Sequence, residues 1–93
     1  MSVKKLRPIY RKRLGPYFSE GSRLMWLQME SRSVGREELT AQLACARGMV
    51  ARWLFGDRAP SRTYATQIER FLGVPVAAWD EQPKKEFHPP VAA

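Results

Sequence analysis

The stretch LTAQLACARGMVARWLFGDRAPS, Leu39 to Ser61, decides the fold. On a helix, Leu39 and Leu43 share a face, and Met49, Val50, Trp53 and Leu54 form a second stripe of the same spacing. Two short stripes imply two packed helices. Between them, Ala44, Cys45 and Ala46 are small enough for the chain to turn sharply, so that the helices cross steeply as in a helix-turn-helix unit. The second helix, expected at about residues 46–54, then presents Arg47, Gly48, Ala51 and Arg52 on its free side. Gly56 ends it by supplying a left-handed residue, and Pro60-Ser61 starts another helix.

Outward from this stretch the pattern stays helical. A first helix at about 22–32 places Leu24 or Met25, Leu27 and Met29 in the core, with Val34 in the connection that follows. A second, at about 36–43, starts from Gly35, with Glu38 in the capping-box position three residues later. A fourth, at about 61–72, begins at Ser61 and sets Tyr64, Ile68, Phe71 and Leu72 on one face before Gly73 stops it. A last turn near 76–80 buries Val74 and Trp79. The chain thus divides into a basic extension over 1–21, a helical domain over 22–80 and an irregular tail over 81–93, in which Pro83, Pro89 and Pro90 stand with Lys84 and Lys85.

Ninety-three residues allow one small domain, near the size at which core burial alone becomes marginal, so association with a second copy or another partner would add stability. A single cysteine excludes an internal disulfide, and no Cys/His cluster approaches a zinc pattern, so no metal or cofactor is expected. Cys45 reads as an inert packed thiol, with a redox-sensitive one as the alternative. No apolar run reaches the roughly 20 residues that span a bilayer, and no secretory core follows Met1 to Lys5. The expectation is a cytoplasmic protein without a membrane partner.

The distribution of charge is more informative than its sum. Lys4, Lys5, Arg7, Arg11, Lys12 and Arg13 give the first sixteen residues +6, which leaves only +1 of the net +7 for residues 17–93. Such a segment suits phosphate binding through counterion release. Leu6, Tyr10 and Leu14 recur in it at helical spacing, Pro8 is tolerated in a first helical turn, and Gly15-Pro16 is a stop signal. A short accessory helix at about 8–14 is therefore expected, either packed on the domain, serving a dimer interface, or part of an arm.

The run Val50-Ala51-Arg52-Trp53-Leu54-Phe55-Gly56-Asp57-Arg58-Ala59-Pro60 resembles the end of the recognition helix in the Cro and phage-repressor family. Phe71-Leu72-Gly73-Val74-Pro75 followed by Trp79 is similar to that family's Leu-Gly-Val motif. The resemblance covers about Ser22 to Trp79 and implies an all-α, compact five-helix lambda-repressor-like domain that binds operator DNA. The chain departs from the family with Ala44 where Gly is usual, Ala46 where Ser or Thr is frequent, and Gly35 for a Ser or Thr cap. Loss of such a side-chain cap costs on the order of 1 kcal/mol of helix stability.

By this resemblance, the base-reading positions fall on Arg47, Gly48 and Arg52, with Ala51 able to touch a thymine methyl. Arginine is the side chain best shaped to bridge guanine O6 and N7. Arg36, Arg58 and Arg62 fall where the family contacts the DNA backbone, and the extension's Lys4, Lys5, Arg7, Arg11, Lys12 and Arg13 join them as phosphate ligands. Trp53 and Trp79 read as core anchors. An enzyme is not expected: the single His88 lies in the proline-rich tail far from Cys45, and no Gly-rich phosphate loop is present. The reading is a transcriptional repressor acting as a homodimer on double-stranded DNA. The alternative is an antitoxin-type or other interaction module, with the tail from Glu81 or the segment before Ser19 binding a small protein partner.

Overall fold

In the computed structural model, which describes residues 14–89, the chain enters its first helix at Ser19. The Ser19 hydroxyl accepts the Ser22 N–H at 3.2 Å, and the Ser22 hydroxyl accepts the Ser19 N–H at 3.3 Å. This reciprocal cap satisfies two donors that a helix start leaves open. Helix α1 therefore spans Glu20–Ser31, beginning before the expected residue 22. Met25 and Met29 face the core, with Leu24 and Trp26 partly buried beside them. Leu27, expected in the core, is instead 40% exposed. Two residues beyond Met25, it points to the opposite side of the helix.

Helix α1 closes with left-handed Ser33: the Ser33 N–H donates to Glu30 O at 3.2 Å and the Val34 N–H to Met29 O at 2.9 Å. These two bonds satisfy the last carbonyls in a Schellman arrangement, and Val34 packs against the core. Helix α2, Arg36–Leu43, follows Gly35, which provides no side-chain cap, and Glu38 makes no bond back to it. Leu39 and Leu43 are buried, as their spacing predicts. Ala44 ends α2 at φ 54°.

Helix α3 spans Met49–Phe55, not 46–54. Gly48 precedes it at φ 86°, so residues 46–48 belong to the turn and Arg47 is not on the helix. Val50, Trp53 and Leu54 are buried, and Gly56 ends the helix at φ 82°. Helix α4, Arg62–Leu72, starts where the Ser61 hydroxyl accepts the Tyr64 N–H, and it buries Ala65, Ile68 and Leu72. Tyr64 and Phe71 are partly buried, and the Tyr64 ring lies against Trp53 at 5.3 Å. A 3-10 helix, Val76–Asp80, then inserts Trp79 over Gly21, so closely that a Cβ there would clash with the indole. Among the described residues the architecture is thus four α-helices and one 3-10 helix, with no strand. No helix among them is long and apolar enough to cross a membrane.

Both segments flanking the helices pack on the domain. The Gly15 N–H donates to Phe55 O at 2.6 Å and the Tyr17 N–H to Gly56 O at 2.8 Å, which fastens the N-terminal segment to the end of α3. From residue 81 to 89 the chain is irregular, yet the Glu20 N–H donates to Glu81 O at 2.9 Å and the Lys84 N–H to the Glu20 carboxylate at 2.7 Å. Phe87 stacks on Phe18 at 5.7 Å and leans on Trp26 at 5.9 Å. The accessory helix expected at 8–14 lies almost wholly outside the described residues.

Candidate nucleic-acid interface

Helices α2 and α3 turn their apolar stripes into one core, Leu39 and Leu43 from the first and Val50, Trp53 and Leu54 from the second. Their outer faces meet along a groove of about 410 Å³. Arg36, Glu37 and Thr40 line it from α2, Arg47 and Gly48 from the turn, and Val50 and Ala51 from α3. Arg36 is the first residue of α2. Thr40, one turn on, donates its hydroxyl to Arg36 O at 2.7 Å and so occupies that proton within the helix.

Four expected site residues, Arg36, Arg47, Gly48 and Ala51, therefore share one surface. Arg52, Arg58 and Arg62 are exposed but do not line this groove: they lie on α3, in the loop after Gly56 and at the start of α4. Lys4, Lys5, Arg7, Arg11, Lys12 and Arg13 lie outside the described residues. Glu37 and Thr40 were not singled out by sequence reasoning, and Val50 was read only as part of the apolar stripe. The placement of Glu37 and Thr40 beside Arg36 on a short helix was the available signal.

The arginines fall into two chemical groups. Arg23 is bound bidentately by Glu20, and Arg32 donates to Phe71 O at 2.8 Å, so both are committed to the fold. Among the described residues, the side chains of Arg36, Arg47, Arg52, Arg58 and Arg62 form no hydrogen bond or ion pair. Their donors are available to an incoming acceptor. A guanidinium carries five N–H donors in a planar fork suited to phosphate and guanine.

Gly48 holds a conformation that side chains rarely adopt, and the space where its Cβ would stand is open. Its role in this geometry is to turn the chain into α3 and leave the groove clear. Cys45 is half-buried against the core, and desolvation raises its thiol pKa, which favours the protonated form. His88 is exposed in the tail, 3.3 Å from Glu86.

Helix α3 is held mainly from its C-terminal end. Leu54 O accepts the Trp26 indole N–H at 2.8 Å, while the carbonyls of Phe55 and Gly56 are taken by Gly15 and Tyr17. Arg52 O accepts the Asp57 N–H at 2.9 Å. The carbonyls that a helix end leaves open are thus satisfied by three separate segments, which anchor this end of α3 to α1 and to the N-terminal segment. Comparison of the chain with protein-family models, with curated proteins and with solved structures finds no match.

Proposed function

We propose that the protein is a sequence-specific binder of double-stranded DNA that represses transcription, a lambda-repressor-like domain whose fifth helix is the 3-10 turn Val76–Asp80. The observation that carries this reading is the groove between α2 and α3, where Arg36 and Arg47 stand exposed without internal partners. In this reading Arg47 bridges guanine O6 and N7 in the major groove and Ala51 meets a thymine methyl. Arg36, Arg58 and Arg62 bind phosphates, which sets the register without reading sequence. Arg52, exposed on α3, takes the neighbouring base or its phosphate. Dimerisation supplies the second half-site in the cytoplasm, and no catalysis is assigned.

The root of the basic extension supports the same reading. Gly15 is bonded to Phe55 and Tyr17 to Gly56, immediately before the loop that carries Arg58, so the described chain begins beside that loop. The partner-binding alternative has weaker support, since the tail from Glu81 to Phe87 is already engaged with α1 and the rings beside it.

The reading is tested with Arg47→Ala and Arg58→Ala against a panel of single-base changes in a duplex selected from random DNA. Arg47→Ala is expected to cost roughly 1–3 kcal/mol per half-site and to relax the preference at one symmetric pair of positions. Arg58→Ala should weaken every sequence about equally. Absence of any selected duplex overturns the function. An exchange of the two patterns reverses the two roles.

A further inference from the structure

The groove between α2 and α3 carries one negative charge. Glu37 is exposed in the first turn of α2 and lines the groove with Arg36, Thr40, Arg47, Val50 and Ala51. It forms no ion pair or hydrogen bond with another described residue, although Arg36 and Arg47 line the same surface. Its neighbour Glu38 has the same charge and the same place in the first turn but does not line the groove. A carboxylate near a helix start favours the helix wherever it points along that turn. That benefit applies to both glutamates and does not account for a carboxylate on the surface where the arginines lie.

A phosphate-binding surface is weakened by a carboxylate, because like charges approach at a cost. A base-reading surface is not, provided that a donor on a base meets it. In the major groove, a G·C pair shows two acceptors on guanine and one amino donor, N4, on cytosine. Arg47 offers the donors for a guanine, and Glu37 offers an acceptor for the cytosine of a different pair. Thr40 has already given its hydroxyl proton to Arg36 O. The space at Gly48 is open, so no side chain from that position crowds the groove that Glu37 lines.

We infer that Glu37 is a specificity-determining residue that accepts the N4 amino group of a cytosine and, by its charge, penalises binding to sequences that lack one there. The inference rests on the DNA-binding reading above and adds to it a residue on α2 that selects sequence. Selection of bound duplexes should then show a cytosine at one symmetric pair of positions that does not respond to Arg47→Ala.

The experiment compares the unsubstituted chain with Glu37→Gln and Glu38→Gln, using a selected duplex, its single-base variants and a random duplex. Glu37→Gln should lower the discrimination for that cytosine about tenfold or more. It should also tighten binding to the random duplex. Glu38→Gln should leave the base preference unchanged while shifting all affinities together. Equal, sequence-independent tightening by both substitutions, or an unchanged preference in Glu37→Gln, overturns the inference while DNA binding stands. If the unsubstituted chain selects no duplex, the function fails and this inference with it. Circular dichroism of each variant excludes loss of helix as the cause.

Discussion

A few residues at turns hold backbone conformations that their neighbours depend on. Gly56 combines φ 82° with a close approach: an added Cβ would lie 2.5 Å from the Phe18 backbone nitrogen, so a side chain there would displace the N-terminal segment. Ala44 has the opposite problem, an ordinary side chain at φ 54°, exposed at the end of α2. A left-handed alanine costs roughly 1–2 kcal/mol. Replacement by glycine removes most of that strain, and the greater freedom of glycine in the unfolded chain takes back about 0.4–1 kcal/mol. Ala44→Gly is therefore expected to stabilise by about 0.5–1 kcal/mol, seen as a Tm rise of several degrees in thermal unfolding. A fall in Tm would mean that the turn between α2 and α3 does not use this conformation.

Helix α3 is too short to be stable by itself and has no side-chain cap at its start. Its position comes from Trp26, Gly15 and Tyr17 at its far end, and Trp26 is in turn covered by Phe87 from the tail. The tail is secured through Glu20, 3% exposed, which binds Arg23 and the Lys84 N–H together. The hydrogen bonds from Arg23 hold the Glu20 carboxyl below its ordinary pKa; burial opposes this, and the Lys84 N–H adds to the lowering. The charged form is thus favoured in the folded state. Its stabilising contribution is complete above the ordinary carboxyl pKa of about 4.3 and is lost as pH falls through the lower folded value. Glu20→Gln should cost about 2–3 kcal/mol at neutral pH. It should also flatten the dependence of Tm on pH below about 5, because the substituted side chain does not titrate. An acid limb as steep as that of the parent would assign the pH dependence to other carboxylates.

For the whole molecule, charge is divided unevenly: six of the seven net positive charges lie in residues 1–13, upstream of the Gly15 anchor. Removal of 1–13 therefore tests the extension without disturbing the bonds from Gly15 and Tyr17 to α3. If its six cations each neutralise a phosphate, the slope of log affinity against log salt should become shallower by up to about 5, with the preferred sequence retained. An unchanged slope means that the extension does not touch DNA. Assembly is tested on the same duplex: two protected half-sites about one helical turn apart are expected of a dimer, and one protomer per site in sedimentation argues against it.

The sequence by itself determined the helical elements whose pattern is local. The paired leucines of α2, the stripe of Val50, Trp53 and Leu54, and the stops at Gly56 and Gly73 rest on side-chain spacing and single-residue backbone preference, which neighbours in the chain settle between them. Arg36 and Arg47 were candidate contacts through the family resemblance, which places them at the start of α2 and just before α3. The late start of α3 was not legible, because both its stripe and the small residues before it fit a longer helix until Gly48 takes a left-handed turn. The apolar pattern of the first helix leaves Leu24 or Met25 open as the core residue and takes Leu27 with them, whereas the orientation of α1 around Met25 and Met29 sends Leu27 outward. Only the tertiary structure could bring Glu37 onto one surface with Arg47, or close the tail and the N-terminal segment around α1 and α3. The contacts that tie α1, α3, the N-terminal segment and the tail together join residues 28 to 69 positions apart. No local spacing encodes them: they follow from the angle at which packed helices cross and from the need of buried carbonyls and a buried carboxylate for partners.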